Sequence, residues 1–292
     1  MLVFLHVPKT AGSSFHFVLE NNFGAHCCHT NHTKRPAFTP SDLAFARKIF
    51  PRLEGIAGHN LVAPMALPIA NPFHITFLRE PISRVLSQYQ ERMLINRQLG
   101  RPLLDFETAL RTDDELENLH VKLMAGERDL DRAKRYLAAC DFVGLTEKFD
   151  LSLCVLQKLY PRKLNVRYQK RRVQRDDTIK RQFERDSKMI ELAREFNKLD
   201  LELYRFAANE IFPQMCDRAG FRAGDVVARL DTGVKAARFK IYFSRFYNRV
   251  VYRQLCKLRH PFSERAHSAS CKTAGQTTFP VSASNGASFP GK

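Results

Sequence analysis

The sequence predicts an α/β protein with a largely parallel sheet and a helical C-terminal region. Three observations carry this prediction: short apolar runs, amphipathic stretches that follow them, and the alternation of the two along the chain. The 292 residues, 44% of them hydrophobic, suffice for one substantial core but not for three ordinary domains.

The first strand and helix open the chain. Residues 2–7 form an apolar run that stops at Pro8, and an amphipathic stretch over residues 13–19 follows two small residues. This order predicts a buried strand, a tight loop and a helix. A shorter apolar piece, residues 55–59, lies between this unit and the next.

A second unit begins at residues 75–78, an apolar run that predicts a strand. Pro81 suits the first turn of the following helix, which has an apolar side formed by Val85, Leu86, Tyr89 and Met93. Residues 103–134 have a helical pattern. A short strand is predicted near Gly144, and a helix over residues 151–159.

The rest of the chain is strongly cationic. After Tyr160 the composition predicts a basic surface loop, then a helix over residues 176–208. Residues 225–258 predict a last helix, whose apolar side is formed by Phe239, Phe243, Phe246, Val250 and Leu255. We expect this helix to pack on its own domain, with peripheral contact to a membrane as the alternative.

These patterns divide the chain into three parts. We expect a main domain over residues 1–222, a basic amphipathic helical extension over residues 223–262, and a disordered tail over residues 263–292 that is rich in Ser, Ala, Gly and Thr.

The charge and the cysteines bound the function. With 47 Lys and Arg against 30 Asp and Glu, the net charge of +17 favours anionic partners. Seven scattered cysteines without a CxxC pair, and a first segment without a basic leader, indicate a cytoplasmic protein. The HCCHTNH segment, residues 26–32, raises a zinc hypothesis, but adjacent cysteines fit zinc spacing poorly. We expect no metal, and a loop that is exposed or lines an acceptor site.

The segment HVPKTAGSSF has the parts of a phosphate-binding loop. A strand end precedes a lysine, small residues, hydroxyls and a helix N-terminus, where backbone amides and the helix dipole favour an anion. The candidate ligands are Pro8, Lys9, Thr10, Ala11, Gly12, Ser13 and Ser14. The loop is not a Walker A motif, because its lysine precedes the glycine. An ordinary strand-to-helix turn is the alternative.

FLREPISRVLSQY supplies a second cation and hydroxyl, Arg79 and Ser87. Together the two segments resemble the 5′-phosphosulfate and 3′-phosphate signatures of sulfotransferases that use 3′-phosphoadenylyl sulfate (PAPS). The resemblance is to the carbohydrate group that includes heparan-sulfate 2-O-sulfotransferases and bacterial relatives. Further similar pieces are Gly58-His59, NLHVKLMAG, VGLTEKFDLSL and NKLDLELYRFA, so the likeness covers about residues 1–212.

The resemblance implies a P-loop-NTPase-like parallel sheet, the sulfotransferase fold, and transfer of a sulfuryl group from PAPS to a hydroxyl of a glycan or glycolipid. It implies Lys9 near the leaving group, His59 as general base, and Arg79 with Ser87 on the 3′-phosphate. The chain departs from the family at Ala11-Gly12-Ser13, where Gly-Gly-Thr is usual, and at Lys122, where arginine is common.

Other residues near these motifs are weaker candidates for the functional site. Glu80 is a second candidate base, although an ion pair with Arg79 is simpler. His120 could touch either ligand, His6 is interpreted as structural within the first strand, and the basic run after Tyr160 could cover PAPS or bind an acidic sugar.

Two other functions stay open on the sequence alone. A nucleotide kinase with an atypical loop is disfavoured, because no Walker A or Mg²⁺-binding motif accompanies the loop. A non-catalytic protein that binds acidic glycan or nucleic acid would also use the positive charge. RNP motifs and C₂H₂ spacing are missing, so we expect no nucleic acid. The oligomeric state stays open.

Overall fold

In the computed structural model, residues 1–170, 181, 186–234 and 236–259 are described. The strands are β1 Leu2–Leu5, β2 Cys27–His29, β3 Gly55–Gly58, β4 Phe73–Leu78 and β5 Phe142–Leu145. The helices are α1 Gly12–Phe23, α2 Pro40–Ile49, α3 Pro81–Gln98, α4 Phe106–Thr112, α5 Leu119–Ala125, α6 Leu130–Ala139, α7 Phe149–Leu159, α8 Ser187–Phe196, α9 Lys198–Phe206, α10 Phe212–Arg218, α11 Arg238–Arg245 and α12 Arg253–Arg259. The shorter helical turns are Gly24–His26, Thr30–Thr33, Thr146–Lys148, and the π-helical segments Ala207–Ile211 and Phe246–Tyr252.

The strands form one parallel sheet in the order β2-β3-β1-β4-β5. Leu2 of β1 lies opposite Gly55 of β3 on one side and Phe73 of β4 on the other. The chain leaves β1 toward β2 and leaves β4 in the opposite direction, toward β5. Their loops therefore diverge at the carboxyl edge of the sheet, which is where ligands of such sheets bind.

Helices cover both faces of this sheet, because successive side chains of a strand point to opposite faces. Val3, Cys28 and Ile56 belong to the cluster that includes α2, whereas Leu2 and Phe4 belong to the larger cluster that includes α1 and α7. A smaller cluster joins α3, α4 and α8. The prediction of a parallel sheet flanked by helices, with a helical C-terminal region, is confirmed.

The boundaries of some predicted helices are wrong. The described part of the helix predicted over residues 176–208 is two helices, α8 and α9, because the amide of buried Asn197 donates to the carbonyls of Leu116 and Ala193 at the junction. The predicted tail, residues 263–292, and most of the basic run after Tyr160 lie outside the described residues.

The last helix begins at Arg238 and not near residue 225. Before it, the chain forms an irregular segment in which the Leu230 amide donates to Asp150 and the Asp231 carboxylate pairs with Arg229. From Arg238 to Arg259 the chain is continuously helical through a central π-helical segment. We call residues 238–259 the C-terminal helix.

The C-terminal helix packs on the domain, but its phenylalanines are exposed or half-buried. Its buried side is formed by Ile241, Ser244, Asn248, Tyr252 and Cys256. The predicted apolar side faces solvent instead, with Phe239 75% exposed and Val250 55% exposed.

The prediction of an exposed loop is wrong for the two cysteines of HCCHTNH. Cys27 and Cys28 form the buried edge strand β2, and burial raises the pKa of the Cys27 thiol to about 12. Asn248 occupies the outer edge of this strand. Its Nδ2 donates to the Cys27 carbonyl at 2.9 Å, and its Oδ1 accepts from the His29 amide at 2.6 Å. One side chain thus supplies the hydrogen bonds that a sixth strand would make.

The segments NLHVKLMAG and NKLDLELYRFA bind each other at the N-termini of α5 and α9. The Asn118 Oδ1 accepts from the amides of Leu199 and Asp200, and the Asp200 carboxylate accepts from the amides of His120 and Val121. Each helix therefore satisfies amides at the start of the other, which gives these two motifs a structural role.

Candidate active site

The loop after β1 has the geometry of an anion site. Lys9 and Ala11 adopt left-handed conformations, with φ of 68° and 59°, and the hydroxyl of buried Thr10 donates to the Val7 carbonyl at 2.8 Å. The first turn of α1 contains Gly12, Ser13 and Ser14, and no side chain caps it. Uncapped amides at a helix N-terminus, with a lysine beside them, favour a phosphate or sulfate group.

Arg79 connects the end of β4 to this loop. Its Nη1 donates to the Lys9 carbonyl at 3.0 Å, across 70 residues of sequence. The two segments that resemble phosphate signatures therefore meet at the point where the loops of β1 and β4 diverge.

The helix after β4 turns one side toward the same loop. Glu91 of α3 forms an ion pair with Lys9, with 3.4 Å between Oε1 and Nζ. Ser87 lies one turn earlier on α3 and is 8% exposed, and residues four apart share a helix face. Ser87 is therefore on the side of α3 that faces Lys9. The Glu91 contact was not expected from the sequence.

His59 follows β3 and is positioned by the turn after β2. A Cβ on Gly58 would lie 2.0 Å from the Thr30 hydroxyl oxygen and 2.6 Å from Asn31 Oδ1, so only glycine allows this approach. The Asn31 Oδ1 accepts from the His59 amide at 2.6 Å. The Gly58-His59 pair thus has a physical reason: glycine makes room for the residue that holds the histidine.

A hydrogen bond fixes the tautomer of His59. Its Nδ1 lies 2.7 Å from the His6 carbonyl oxygen, which can only accept, so Nδ1 carries the proton. The lone pair of the neutral ring is therefore on Nε2, the nitrogen that a general base would use.

His6 connects His59 to the phosphate loop. The sequence interpretation placed it within the first strand, but β1 ends at Leu5. The His6 ring lies on Gly12, where an added Cβ would be 1.6 Å from Nε2, and its centroid is 4.0 Å from that of His59. An apolar run continuing to Val7 concealed this role.

The row of imidazoles continues away from the loop. His6 Nδ1 lies 3.3 Å from His16 Nε2, and the His16 and His29 ring centroids are 4.5 Å apart. His32 stacks beyond His29 at 6.5 Å. Burial, and then the charge of His29, lower the pKa of His32 to about 4, so the outer end of the row is neutral at pH 7.

Glu80 and Lys122, two weaker candidates for the functional site, have structural contacts of their own. The Glu80 carboxylate caps α3 by accepting from the amides of Ile82 and Ser83, which gives it a structural role. Lys122 forms ion pairs with Asp114 and Glu117.

His120 is fully buried beside Asp200, at 3.6 Å, and burial lowers its pKa to about 4. It is therefore part of the packing between α5 and α9 and not a contact for substrate.

The described residues offer neither a metal site nor a membrane span. In residues 1–170, 181, 186–234 and 236–259, no group of three or more His, Cys, Asp or Glu side chains is arranged to hold a metal ion. The same residues contain no helix long and apolar enough to cross a membrane.

The fold and the site define an α/β protein in which the loops after β1 and β4 meet at one edge of a parallel sheet, with His59 nearby. The family model of the sulfotransferase family matches residues 1–207, and the chain belongs to that family. The match is to the family as a whole. A search of curated proteins finds no match.

Proposed function

We propose that the protein transfers a sulfuryl group from PAPS to a hydroxyl of a carbohydrate acceptor, a glycan or glycolipid, and releases adenosine 3′,5′-bisphosphate. The observation that supports this most is the Arg79–Lys9 contact, because it joins two anion-binding segments at one edge of the sheet. A substrate with two separated phosphate groups suits that arrangement better than a single phosphate does.

Each part of the site has a role in this proposal. The amides of Gly12 and Ser13, the Ser14 hydroxyl and Lys9 would hold the 5′-phosphosulfate, as the start of α1 without a side-chain cap favours. Arg79 and Ser87 would hold the 3′-phosphate. Pro8, Thr10 and Ala11 fix the course of the loop, with Thr10 bonded back to Val7.

The transfer asks for alignment and charge stabilisation, as phosphoryl transfer does. The acceptor oxygen forms a bond to sulfur while the bond from sulfur to the 5′-phosphate oxygen breaks. The hydroxyl proton passes to His59 Nε2, the nitrogen left basic by the Nδ1 bond to the His6 carbonyl. The Lys9 ammonium stabilises the negative charge that develops on the departing phosphate oxygen.

The deciding experiment measures labelled sulfate transfer from PAPS to a panel of glycans and glycolipids. Lys9→Ala and Arg79→Ala should weaken binding of adenosine 3′,5′-bisphosphate, measured by calorimetry. His59→Ala should retain that binding and lose transfer. Lys48→Ala, which removes an exposed cation of α2, is the matched control and should change neither.

Two outcomes would contradict the proposal. If both Lys9→Ala and Arg79→Ala bind adenosine 3′,5′-bisphosphate as the wild type does, these two residues do not hold its phosphates. Phosphate transfer from ATP, without sulfate transfer from PAPS, would favour the nucleotide kinase.

A further inference from the structure

The outward side of the C-terminal helix presents an apolar stripe to solvent. We define the aromatic stripe as Phe239, Tyr242, Phe246 and Val250, which are 75%, 63%, 39% and 55% exposed. Phe239, Tyr242 and Phe246 are spaced by three and four residues along one side of the helix, and Val250 follows about one turn later in the π-helical segment. The Tyr242 and Phe246 rings are nearly parallel, at 15°. The stripe is therefore continuous over about three turns.

The stripe is not a by-product of unfinished packing. The same helix buries a separate side on the domain through Ile241, Asn248 and Tyr252. Asn248 fixes the rotation of the helix by bonding the edge of β2 at both Cys27 and His29. Turning the stripe inward would break both bonds, so the domain holds the aromatic side outward.

Positive charge accompanies the stripe without any carboxylate on the helix. The C-terminal helix contains seven cations, Arg238, Lys240, Arg245, Arg249, Arg253, Lys257 and Arg259, and no Asp or Glu occurs between residues 232 and 263. Among the described residues, no carboxylate pairs with Arg249 or Arg253, whereas Arg245 pairs with Glu20 and Arg259 pairs with Asp42. Both arginines are exposed, and they lie four residues, about one turn, apart.

We infer that the aromatic stripe and its flanking arginines dock the protein on an anionic lipid surface. Aromatic and aliphatic side chains insert at the level of the headgroups, while long cationic side chains reach the phosphates. A helix that carries seven cations and no Asp or Glu of its own matches a plane of negative headgroups, whereas a second copy of this chain would bring like charges together. This inference is independent of the reaction proposed above.

The test is co-sedimentation of the full-length protein with phosphatidylcholine vesicles, prepared with and without phosphatidylglycerol. Binding should require phosphatidylglycerol and weaken as salt rises. The double variant Phe239→Ser, Tyr242→Ser keeps every charge and should lower vesicle binding by about tenfold or more for each ring removed. The double variant Arg249→Gln, Arg253→Gln should lower it by about fivefold per arginine.

The matched control is Leu99→Ser, which removes another exposed apolar side chain, 58% exposed, at the end of α3. Its vesicle binding should equal that of the wild type. Thermal unfolding of all variants should match the wild type, because the substituted side chains are exposed. Sulfate transfer to a soluble acceptor should be unchanged in both double variants, which separates docking from catalysis.

Three results would overturn the inference. The first is that the wild type does not bind vesicles. The second is that the serine double variant binds like the wild type, because binding would then depend on the overall charge alone. The stripe could instead mediate self-association, seen by sedimentation velocity as a dimer that the serine double variant abolishes.

Discussion

Gly12→Ala tests whether His6 is wedged between the phosphate loop and His59. A Cβ on Gly12 would lie 1.6 Å from His6 Nε2, about 1.8 Å short of the 3.4 Å at which ordinary van der Waals contact begins. The His6 ring cannot easily retreat, because His59 lies 4.0 Å away and Phe4 stacks on it at 5.2 Å.

We expect Gly12→Ala to lower the free energy of unfolding by about 1–3 kcal/mol, the usual cost of overpacking. Displacement of the His6 ring also pushes on the His59 ring, whose centroid is 4.0 Å from that of His6. If His59 is the base of the proposed reaction, a shift of about 1 Å can lower the rate a hundredfold, so kcat/KM for sulfate transfer should fall by about that factor. Urea unfolding and steady-state kinetics measure the two effects.

The His6→Ala background decides the cause, because it removes the ring that the new methyl group meets. Gly12→Ala should then cost much less stability than in the wild type, giving a coupling free energy of about 1 kcal/mol or more. Gly224→Ala, where an added Cβ has nothing within 4 Å, is the control for glycine replacement. An equal loss in the free energy of unfolding on Gly12→Ala in both backgrounds would refute the contact between the His6 ring and Gly12 as the cause.

Three further predictions concern other parts of the molecule. Asn248→Leu should lower the free energy of unfolding by about 1–3 kcal/mol in urea, because two backbone groups of β2 lose their partners. Burial lowers the pKa of His120 in the folded protein to about 4, against 6.5 for an ordinary histidine. Between these values the unfolded chain binds more protons than the folded one, so the free energy of unfolding falls as pH drops through this window. His120→Asn should reduce this pH dependence, measured by urea unfolding at successive pH values. Glu91→Gln removes a negative charge that pairs with Lys9. It should tighten binding of adenosine 3′,5′-bisphosphate about threefold by calorimetry, whereas weaker binding would mean that Glu91 positions the lysine.

Much of the fold follows from local patterns. Apolar runs that stop at a loop predict β1, β4 and β5, because buried parallel strands are apolar on both faces. β2 escaped prediction because its three residues, Cys27 to His29, form no such run. Its strand geometry depends on β3 and on Asn248, which is more than two hundred residues away in sequence.

The buried side of the C-terminal helix is a second feature that the sequence does not predict. The helical spacing of its phenylalanines is visible in the sequence, but hydrophobicity alone assigns them to the core. Two polar residues, Ser244 and Asn248, lie on the buried side instead. The π-helical segment Phe246–Tyr252 also shifts the angular positions after Arg245, so a 3.6-residue period cannot follow the face.

The motifs of the candidate site are visible in the sequence, whereas the contacts between them are not. Lys9, Arg79 and His59 stand out because their positions follow strand ends. Glu91 and His6 did not, because their importance comes from contacts across elements: an ion pair from α3 and a ring over Gly12. Such contacts require the three-dimensional arrangement.

Asn248 also bears on how the chain can be divided. The family match ends at residue 207, so a fragment cut by sequence homology would omit the C-terminal helix. That fragment would present the Cys27 carbonyl and His29 amide of β2 as an open template for another strand. A shortened form of this enzyme would therefore tend to aggregate through its sheet, even though every residue of the phosphate loop is retained.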